Sequence, residues 1–395
     1  MREPLDRGRS TGLTRRLRRQ VGRRLYRQVF RAYRTAFPTP HWTGPLDPRS
    51  LRRILVVQRG GVGDMVLTTP LLTFLKERVR DAQVDVLASR RNAAVLTGHP
   101  AVSHTFVYDE TWRGWLRLVP RLRARRYDAV FSGQEGKHLR EALTATAVAH
   151  RHTHKISVWR PKRYQGLFTT VARVPPSATH TAERVLYMGW YALGIREPIA
   201  GAVASRYPLY VPAERGAEAA VDAFLSTHGL RSFVAVNVSA HFAVRDWPAE
   251  SCAASVALLL ARHPDLSVVL TPAPGKHDVV AEVAGRCASS RVIVAPEFSL
   301  LELVALVRRA LAVVTPNTAL VHVASACRRP VVALYPPVVP RDVTLWLPVG
   351  VPYRALASRL GGSAADIPPG DVADAFDELR REVANLPEPA AEPVP

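Results

Sequence analysis

The chain has 395 residues, more than one ordinary domain core holds, which predicts two domains. Its hydrophobic content of 47% fits a globular protein, and no apolar run reaches the roughly 20 residues of a membrane span. Three widely spaced cysteines argue against a disulfide framework or a cysteine metal site and suit a reducing cytoplasm. The formal charge of +21 is almost entirely arginine; it favours anionic partners such as phosphorylated substrates or acidic lipid and does not by itself indicate specific nucleic-acid binding.

Residues 1–50 read as an arginine-rich arm followed by a proline-broken linker. Between Arg2 and Arg34 the sequence has twelve arginines and two acids. On a helical projection of residues 21–34, apolar side chains share one side and arginines the other, as in an interfacial helix on an anionic membrane. The same composition fits a solvated, partly disordered arm or an organellar transit peptide, whereas the apolar core of a signal peptide is missing. An arm that holds the protein at a membrane through residues 1–40 and an arm that stays in solution are therefore both open.

From Arg52 onward, short apolar runs alternate with helical stretches in two successive series. The first series contains ILVVQ, QVDVLAS, HTFVYD and YDAVFSG, with predicted helices in MVLTTPLLTFLKERV, NAAVLTG and GWLRLVPRLRARR. The second contains SFVAVNVS, LSVVLTP, RVIVAP, LAVVTPN and PVVALYPP, again separated by helical patterns. Such alternation is typical of parallel βαβ units. It predicts an α/β protein with Rossmann-like domains over 51–205 and 206–385, followed by a disordered low-complexity tail over 386–395.

The glycine-rich loop RGGVGDM joins the first predicted strand to a helix. Gly60, Gly61 and Gly63 allow backbone conformations with positive φ and a close approach to a ligand. The loop has neither the GxGxxG of dinucleotide sites nor the GxxxxGK[ST] of P-loops, which disfavours a nicotinamide-dependent oxidoreductase. Asp64 has two interpretations: a carboxylate that caps the following helix, or a general base at the edge of the sheet where ligands bind in open α/β folds.

A second polar loop, VNVSAHFAVRDWP, lies between a predicted strand and a predicted helix. Asn237, Ser239 and His241 can hydrogen-bond there, and Arg245 can hold a diphosphate through two parallel donors. Taken alone, the simpler interpretation is a loop with one solvated arginine and Trp247 packed as an anchor.

A third polar stretch, VVTPNTALVHVASA, predicts a strand that ends at Thr315 and a helix capped by Asn317 or Thr318. Free backbone N–H groups at such a helix start can bind an anion. His322 lies one turn after Thr318 and faces the same way. A lone histidine on a helix is more often structural than functional, but its position beside a helix start favours a ligand contact.

These three stretches, in this order, resemble the patterns of glycosyltransferase family 9, the bacterial heptosyltransferases. GDMVLTTP resembles the family's GDxxxTxP, the residues from Asn237 to Pro248 resemble its Asn, small residue and Lys-x-Trp-Pro, and VVTPNTALVHVASA resembles VVTPDTGxxHxAxA. The resemblance implies a GT-B fold, in which two Rossmann-like domains with parallel sheets face each other across a cleft. It also implies an inverting transferase without metal or other cofactor. Its donor would be a nucleotide sugar, typically ADP-heptose, and its acceptor a lipopolysaccharide inner-core sugar or another cell-envelope glycan or glycolipid.

The resemblance also implies roles for individual residues. Asp64 matches the catalytic base, and Arg245 matches the lysine that stabilises the departing diphosphate. The glycines of the acceptor loop are Gly60, Gly61 and Gly63. The residues that match donor-binding positions are Asn237, Ser239, His241, Arg245, Asn317, Thr318, Ala319, Leu320 and His322. No metal ligand is among them, and the enzyme is expected in the cytoplasm, at the inner face of the cytoplasmic membrane if the arm binds lipid.

Two departures from the family pattern affect the donor side. Asn317 replaces an aspartate that contacts the donor sugar, and Ala319 replaces a glycine where backbone approaches phosphate. They suggest a divergent member that acts on another sugar or acceptor. They also support the rival hypothesis of a non-catalytic anion-binding protein, attached to membrane or nucleic acid through its arm.

Overall fold

The computed structural model describes residues 44–133, 139–158, 166–238, 247–335, 343–358 and 364–385, together with Gln28 and Thr35. Apart from Gln28, the helix predicted within residues 21–34 lies outside the described part of the chain, as does the tail over 386–395. Within that part, no helix is both long and apolar enough to cross a bilayer.

Six strands form the first sheet, and all their pairings are parallel. The sheet runs in the order β3-β2-β1-β4-β5-β6. This is the strand order of a Rossmann fold, in which the chain winds outward in both directions from β1. Its strands are β1 (Arg53–Gln58), β2 (Gln83–Ser89), β3 (His104–Tyr108), β4 (Ala129–Ser132), β5 (His154–Ser157) and β6 (Thr170–Val171).

The second sheet repeats the same winding. Its order is β12-β11-β10-β7-β8-β9, again with every pairing parallel. If β7 is counted as the first strand of this half, the order is the same as in the first sheet. Its strands are β7 (Phe233–Asn237), β8 (Ser267–Thr271), β9 (Val292–Val294), β10 (Ala312–Pro316), β11 (Val331–Tyr335) and β12 (Tyr353–Ala357).

Helices connect the strands, as parallel pairing requires. In the first half they are α1 (Val62–Val66), α2 (Thr69–Arg78), α3 (Trp112–Ala124), α4 (Leu139–Val148), α5 (Thr181–Ala192) and α6 (Ala202–Ser205). In the second half they are α7 (Arg215–Thr227), α8 (Ala249–Arg262), α9 (His277–Cys287), α10 (Leu300–Arg309), α11 (Ala319–Ala326) and α12 (Pro369–Ala384).

Alternate residues of each strand point to opposite faces of the sheet, so each sheet feeds two cores. In β1, Leu55 and Val57 join a cluster with α3 and α4, whereas Ile54 and Val56 join a cluster with α2 and α5. That second cluster continues through α10 and α11 to the inner face of the second sheet. A third cluster joins the outer face of the second sheet to α8, α9 and α12. The shared inner cluster holds the two halves together.

The structure confirms an α/β protein with two Rossmann-like parallel sheets. One predicted helix is wrong in kind: NAAVLTG holds only a 3₁₀ turn, Ala93–Leu96. The reason is local, because Gly98 at φ +64° ends the turn, and the Asn92 side chain accepts the N–H of Ser89 at 2.8 Å instead of leaving the backbone to form helix.

Candidate active site

Both sheets reverse their strand order at one pair of neighbouring strands, β1 with β4 and β7 with β10. In open α/β sheets, ligands bind outside the carboxyl ends of the strands at this point. The loop and helix after β1 carry Gly60 and Asp64, Asn237 is the last residue of β7, and Asn317 directly follows β10. The fold thus puts the candidate residues at the two places where a ligand is expected.

At the first sheet, the loop after β1 turns into the short helix α1. Asp64 is the third residue of α1, and its carboxylate accepts the N–H of Gly61, the residue before the helix, at 2.7 Å. The side chain is only partly buried. Asp64 therefore caps α1, as the capping interpretation predicted. The same hydrogen bond holds its carboxylate near the carboxyl end of β1.

The three glycines of this loop serve packing more than backbone conformation. None of Gly60, Gly61 and Gly63 uses the positive φ that glycine allows. A methyl group added at Gly60 would lie 2.3 Å from Oδ2 of Asp64. No side chain larger than that of glycine fits at position 60, because the Asp64 carboxylate occupies the adjacent space.

Three polar residues outside the quoted motifs, together with the motif residue Thr68, fix this loop. The Gln58 amide donates to Thr68 Oγ1 at 3.0 Å and accepts the Gly60 N–H at 3.1 Å. Asn92 donates to the carbonyls of Gln58 and Gly60, at 3.1 and 3.0 Å, and Ser89 donates to Gly60 O at 3.2 Å. The only local signal was a glutamine at the end of an otherwise apolar buried strand.

At the second sheet, hydroxyl groups replace the carboxylate. Asn237 ends β7 and donates from its amide nitrogen to Thr315 Oγ1 at 3.1 Å and to Thr318 Oγ1 at 3.2 Å. Thr318 caps α11, since its hydroxyl accepts the Leu320 N–H at 3.2 Å. Asn317 is buried beside it, and its N–H donates to Leu334 O at 2.8 Å. The structure thus brings Asn237, Thr315 and Thr318 into hydrogen-bonding contact, with Asn317 next to Thr318 in the chain.

The start of α11 carries no negative charge of its own. Its first turn contains no acidic residue, and its cap is a neutral hydroxyl. The first N–H groups of a helix carry partial positive charge and attract anions. The start of α11 is therefore electrostatically suited to a phosphate.

His322, in contrast, is a neutral residue of the core. It is 3% exposed, and burial together with the neighbouring His180 lowers the pKa of its imidazole to about 3. Burial also lowers the pKa of His180 to about 4, and that ring bonds Leu347 O through Nε2 at 2.9 Å. The His322 imidazole is therefore uncharged at neutral pH in the folded chain.

The two sheet edges meet at Gly63. A methyl group added there would lie 3.0 Å from Cδ2 of His322 and 3.3 Å from Cα of Ala319. Gly63 therefore lets α1 of the first half pack directly on α11 of the second half. The contact brings Asp64 and the start of α11 to adjoining sides of one helix pair.

Three predicted residues, Ser239, His241 and Arg245, lie outside the described part of the chain. The residues on either side are described: the N–H of Trp247 donates to Val238 O at 3.3 Å. Trp247 is 1% exposed and packs in the outer core of the second half, which is the anchoring role expected for it. In the described residues, no group of three or more His, Cys, Asp or Glu side chains is placed to hold a metal ion.

Comparisons with known proteins place this geometry in a family context. The model of Glycosyltransferase family 9 (heptosyltransferase) matches residues 115–362, which include the second sheet edge but not Asp64. Lipopolysaccharide heptosyltransferase 3 of Escherichia coli (strain K12) is 26% identical over 288 residues, which cover 69% of this chain and 79% of that protein.

Two solved structures share the fold. A family 9 glycosyltransferase from Veillonella parvula superposes with a TM-score of 0.73 at 20% identity, covering 86% of this chain and all of its own. E. coli ADP-heptose lipopolysaccharide heptosyltransferase II gives a TM-score of 0.68 at 23% identity, covering 84% of this chain and 99% of its own. With the two parallel sheets, these likenesses establish a GT-B fold.

Proposed function

The chain belongs to glycosyltransferase family 9, and we propose that it transfers a heptose or related sugar from ADP-heptose or a similar nucleotide donor, with inversion, to a hydroxyl group of a cell-envelope glycan or glycolipid. Membership of this family makes it a glycosyltransferase enzyme. The names of its relatives support the donor and acceptor, since one is a lipopolysaccharide heptosyltransferase and another an ADP-heptose transferase.

One observation carries the proposal: the short helix that holds the Asp64 carboxylate packs against a helix whose first turn has no acid. Asp64 is held by the Gly61 N–H at 2.7 Å, and Gly63 of the same helix packs on His322 and Ala319 of α11. A group-transfer site needs a base for the acceptor and positive potential for the leaving group within the reach of one substrate. This helix pair supplies both.

The proposed mechanism is a direct displacement. Asp64 takes the proton of the acceptor hydroxyl, and the acceptor oxygen forms its bond to the anomeric carbon of the donor sugar. The bond from that carbon to the diphosphate oxygen breaks at the same time, and the nucleotide diphosphate leaves with the electron pair. Because attack comes from the face opposite the leaving group, the anomeric configuration inverts. General-base assistance of this kind contributes about 10²–10⁴-fold.

The donor would bind at the second sheet edge. The first N–H groups of α11 would face its diphosphate, and Arg245 would add a full charge at the departing oxygen. Asn237 supports this arrangement because its amide holds the hydroxyls of Thr315 and Thr318 in place. No metal is assigned a role in this proposal.

Two residues bear on which sugar is bound. Asn317 offers an amide where the family pattern has a carboxylate, so a sugar hydroxyl would meet a weaker acceptor there. Ala319 adds a methyl group at the first position of α11, next to the proposed diphosphate. Both favour a donor that differs in detail from the family's usual one.

The test is a donor screen followed by product analysis. Purified protein is heated with ADP, ADP-heptose, UDP-sugars and GDP-sugars, and stabilisation by one nucleotide sugar in preference to the others is expected. Incubation of that donor with a lipopolysaccharide-core acceptor should then give a product of inverted anomeric configuration by NMR. A protein that no nucleotide sugar stabilises at millimolar concentration would instead fit the non-catalytic hypothesis.

We also propose that residues 1–40 hold the enzyme at the inner face of the cytoplasmic membrane, which their arginine content supports. Flotation with liposomes, with and without these residues, tests this. Equal recovery of the two proteins would show that residues 1–40 do not hold the enzyme at the membrane.

A further inference from the structure

Exposed apolar side chains are concentrated in one short stretch of the first half. Six large apolar residues are strongly exposed in the described part of the chain, and three of them fall between residues 107 and 116. They are Val107 in β3, at 48% exposure, and Trp112 and Leu116 in α3, at 68% and 52%. Single exposed apolar residues are ordinary, but a cluster with a tryptophan points to an interaction surface.

Helix α3 carries more apolar surface than its packing uses. Leu118, Val119 and Leu122 are buried against the outer core of the first half, which gives the helix its inward stripe. At about 100° per residue, Trp112, Leu116 and Pro120 form a second stripe beside it. All three of these are exposed. The Arg113 guanidinium lies 5.5 Å from the centre of the Trp112 ring, so a cation already stands beside this outer stripe.

Arginines run along the other side of the outer stripe. Arg113, Arg117 and Arg121 repeat at every fourth residue, and all are exposed. The helix contains no acidic residue. From one side to the other, α3 thus shows a buried stripe, an exposed apolar stripe and an exposed arginine stripe. We call the last two together the α3 face.

The charges around the α3 face are mostly positive. Two acids precede the helix, and one of them, Asp109, already accepts the N–H and the hydroxyl of Thr111 at 3.0 and 2.9 Å. The other is the exposed Glu110. At the far end, the exposed His150 bonds the Arg123 carbonyl at 2.8 Å and brings the exposed Arg151 with it.

We propose that the α3 face docks on an anionic lipid surface. Tryptophan and leucine beside a row of arginines match a bilayer interface, where aromatic rings sit at the level of the headgroups and cations meet lipid phosphates. The arginine row has the sign that acidic lipid attracts. A nucleic-acid ligand would use the arginines but leave Leu116 and Pro120 without a role.

The α3 face also lies near the proposed catalytic edge. Arg59, next to Gly60, stacks its guanidinium 4.2 Å from the ring centre of Tyr108, whose hydroxyl donates to Thr111 O at 3.1 Å. Thr111 in turn caps α3. If the proposed function holds, docking of α3 brings the loop next to Asp64 close to the membrane, so the acceptor would be anchored in lipid.

The first test measures partition of the full chain onto vesicles of phosphatidylcholine with phosphatidylglycerol. Trp112→Ser with Leu116→Ser removes the apolar stripe, and Arg113→Gln, Arg117→Gln and Arg121→Gln remove the arginine row. Each set should weaken partition about tenfold or more. Only the arginine set should reduce the salt dependence of partition.

Matched controls change the same residue types elsewhere. Arg196→Gln, Arg215→Gln and Arg231→Gln remove three exposed arginines away from α3, and Leu311→Ser with Val383→Ser removes two exposed apolar side chains. The apolar control should leave partition unchanged, and the arginine control should change it less than the α3 set. Equal loss from the control and α3 sets would overturn the proposal.

A second readout separates α3 from the N-terminal arm, which can bind lipid without it. Tryptophan fluorescence is recorded with brominated lipid, and the signal of Trp112 is the difference between the wild type and Trp112→Phe. Quenching of that difference is expected. If the protein binds vesicles and the difference is not quenched, α3 does not touch the membrane.

These readouts do not depend on turnover. Asp64→Asn should bind vesicles like the wild type even when transfer is lost. Quenching of Trp112 without any sugar transfer would support the docking surface and contradict the proposed function. Sugar transfer without quenching of Trp112 would support the proposed function and contradict the docking surface.

Discussion

The two junctions at the candidate site have the same local build and opposite electrostatics. In each, a buried parallel strand ends at the point where strand order reverses, and a short helix begins. At the first junction the protein supplies its own anion, because Asp64 accepts the N–H of Gly61. At the second, the neutral hydroxyl of Thr318 accepts the N–H of Leu320, and the first turn of α11 has no acid.

The difference indicates a division of labour between the sheets. A helix start that already holds a carboxylate repels a diphosphate and offers a base. A helix start capped by a hydroxyl keeps its potential for an incoming anion. Because Gly63 packs on α11, the two kinds of junction lie next to each other.

Asp64→Asn should have the largest effect on activity, because it removes the charge that distinguishes the first junction from the second. The asparagine oxygen can still accept the Gly61 N–H, so the cap remains while the base is lost. We expect kcat to fall about 10²–10⁴-fold with nucleotide binding and thermal stability preserved. Asp47→Asn is the control, because Asp47 also caps a turn, accepting the Arg49 N–H at 3.0 Å, but lies away from the site. Full turnover in Asp64→Asn would leave Asp64 as a cap only.

Lowering the pH should destabilise the folded protein through the two buried histidines near the contact between the junctions. His322 and His180 have folded-state pKa values of about 3 and about 4, lowered by burial, against about 6.5 in an unfolded chain. Below pH 6.5 the unfolded chain therefore takes up protons that the folded chain does not. The free energy of unfolding decreases as the pH is lowered, until the folded-state pKa values are reached. At pH 5 each histidine should remove up to about 2 kcal/mol from the free energy of unfolding.

Urea unfolding at pH 7 and pH 5 measures this loss. His322→Gln should lower the difference between the two pH values, whereas His152→Gln, at an exposed histidine, should not. An unchanged difference in His322→Gln would mean that the buried imidazole does not control the acid response.

Gly63→Ala tests whether the junctions must touch. The added methyl meets His322 and the backbone of Ala319 at 3.0 and 3.3 Å, so α1 and α11 must move apart. Overpacking of this kind costs about 1–3 kcal/mol, and we expect kcat/KM to fall with it. Gly285→Ala is the matched control in α9, where nothing lies within 4 Å of an added methyl. Equal stability and activity in both variants would show that the contact is dispensable.

Thr318→Val should have the smallest effect. It removes the hydroxyl that receives the Leu320 N–H and the Asn237 amide, at a cost of about 1 kcal/mol for the lost cap. A similar loss in donor binding would raise the Kd of the nucleotide about fivefold. Isothermal titration with the nucleotide should show this for Thr318→Val but not for Thr318→Ser. If the Thr318→Val variant binds the nucleotide as tightly as Thr318→Ser, the Thr318 hydroxyl does not contribute to the anion site.

Much of the fold could be read from periodicity. Nine of the twelve strands in the described residues follow from the apolar runs and lie in the two parallel sheets, whereas β5, β6 and β12 were not predicted. The motifs also located Asn237, Asn317 and Thr318 at strand ends, where they meet. The 3₁₀ turn at Ala93–Leu96 was missed because a side chain, Asn92, competes with the helix for the backbone.

The sequence by itself determined the two Rossmann-like halves and the placement of Asp64 at a strand-to-helix turn, because both depend on neighbours in the chain. Only the tertiary structure decided that Gly63 packs on His322, that Gln58 and Asn92 fix the loop, and that His322 is uncharged. These facts depend on segments that are distant in sequence, and the free energy of a buried group is set by whatever folds around it.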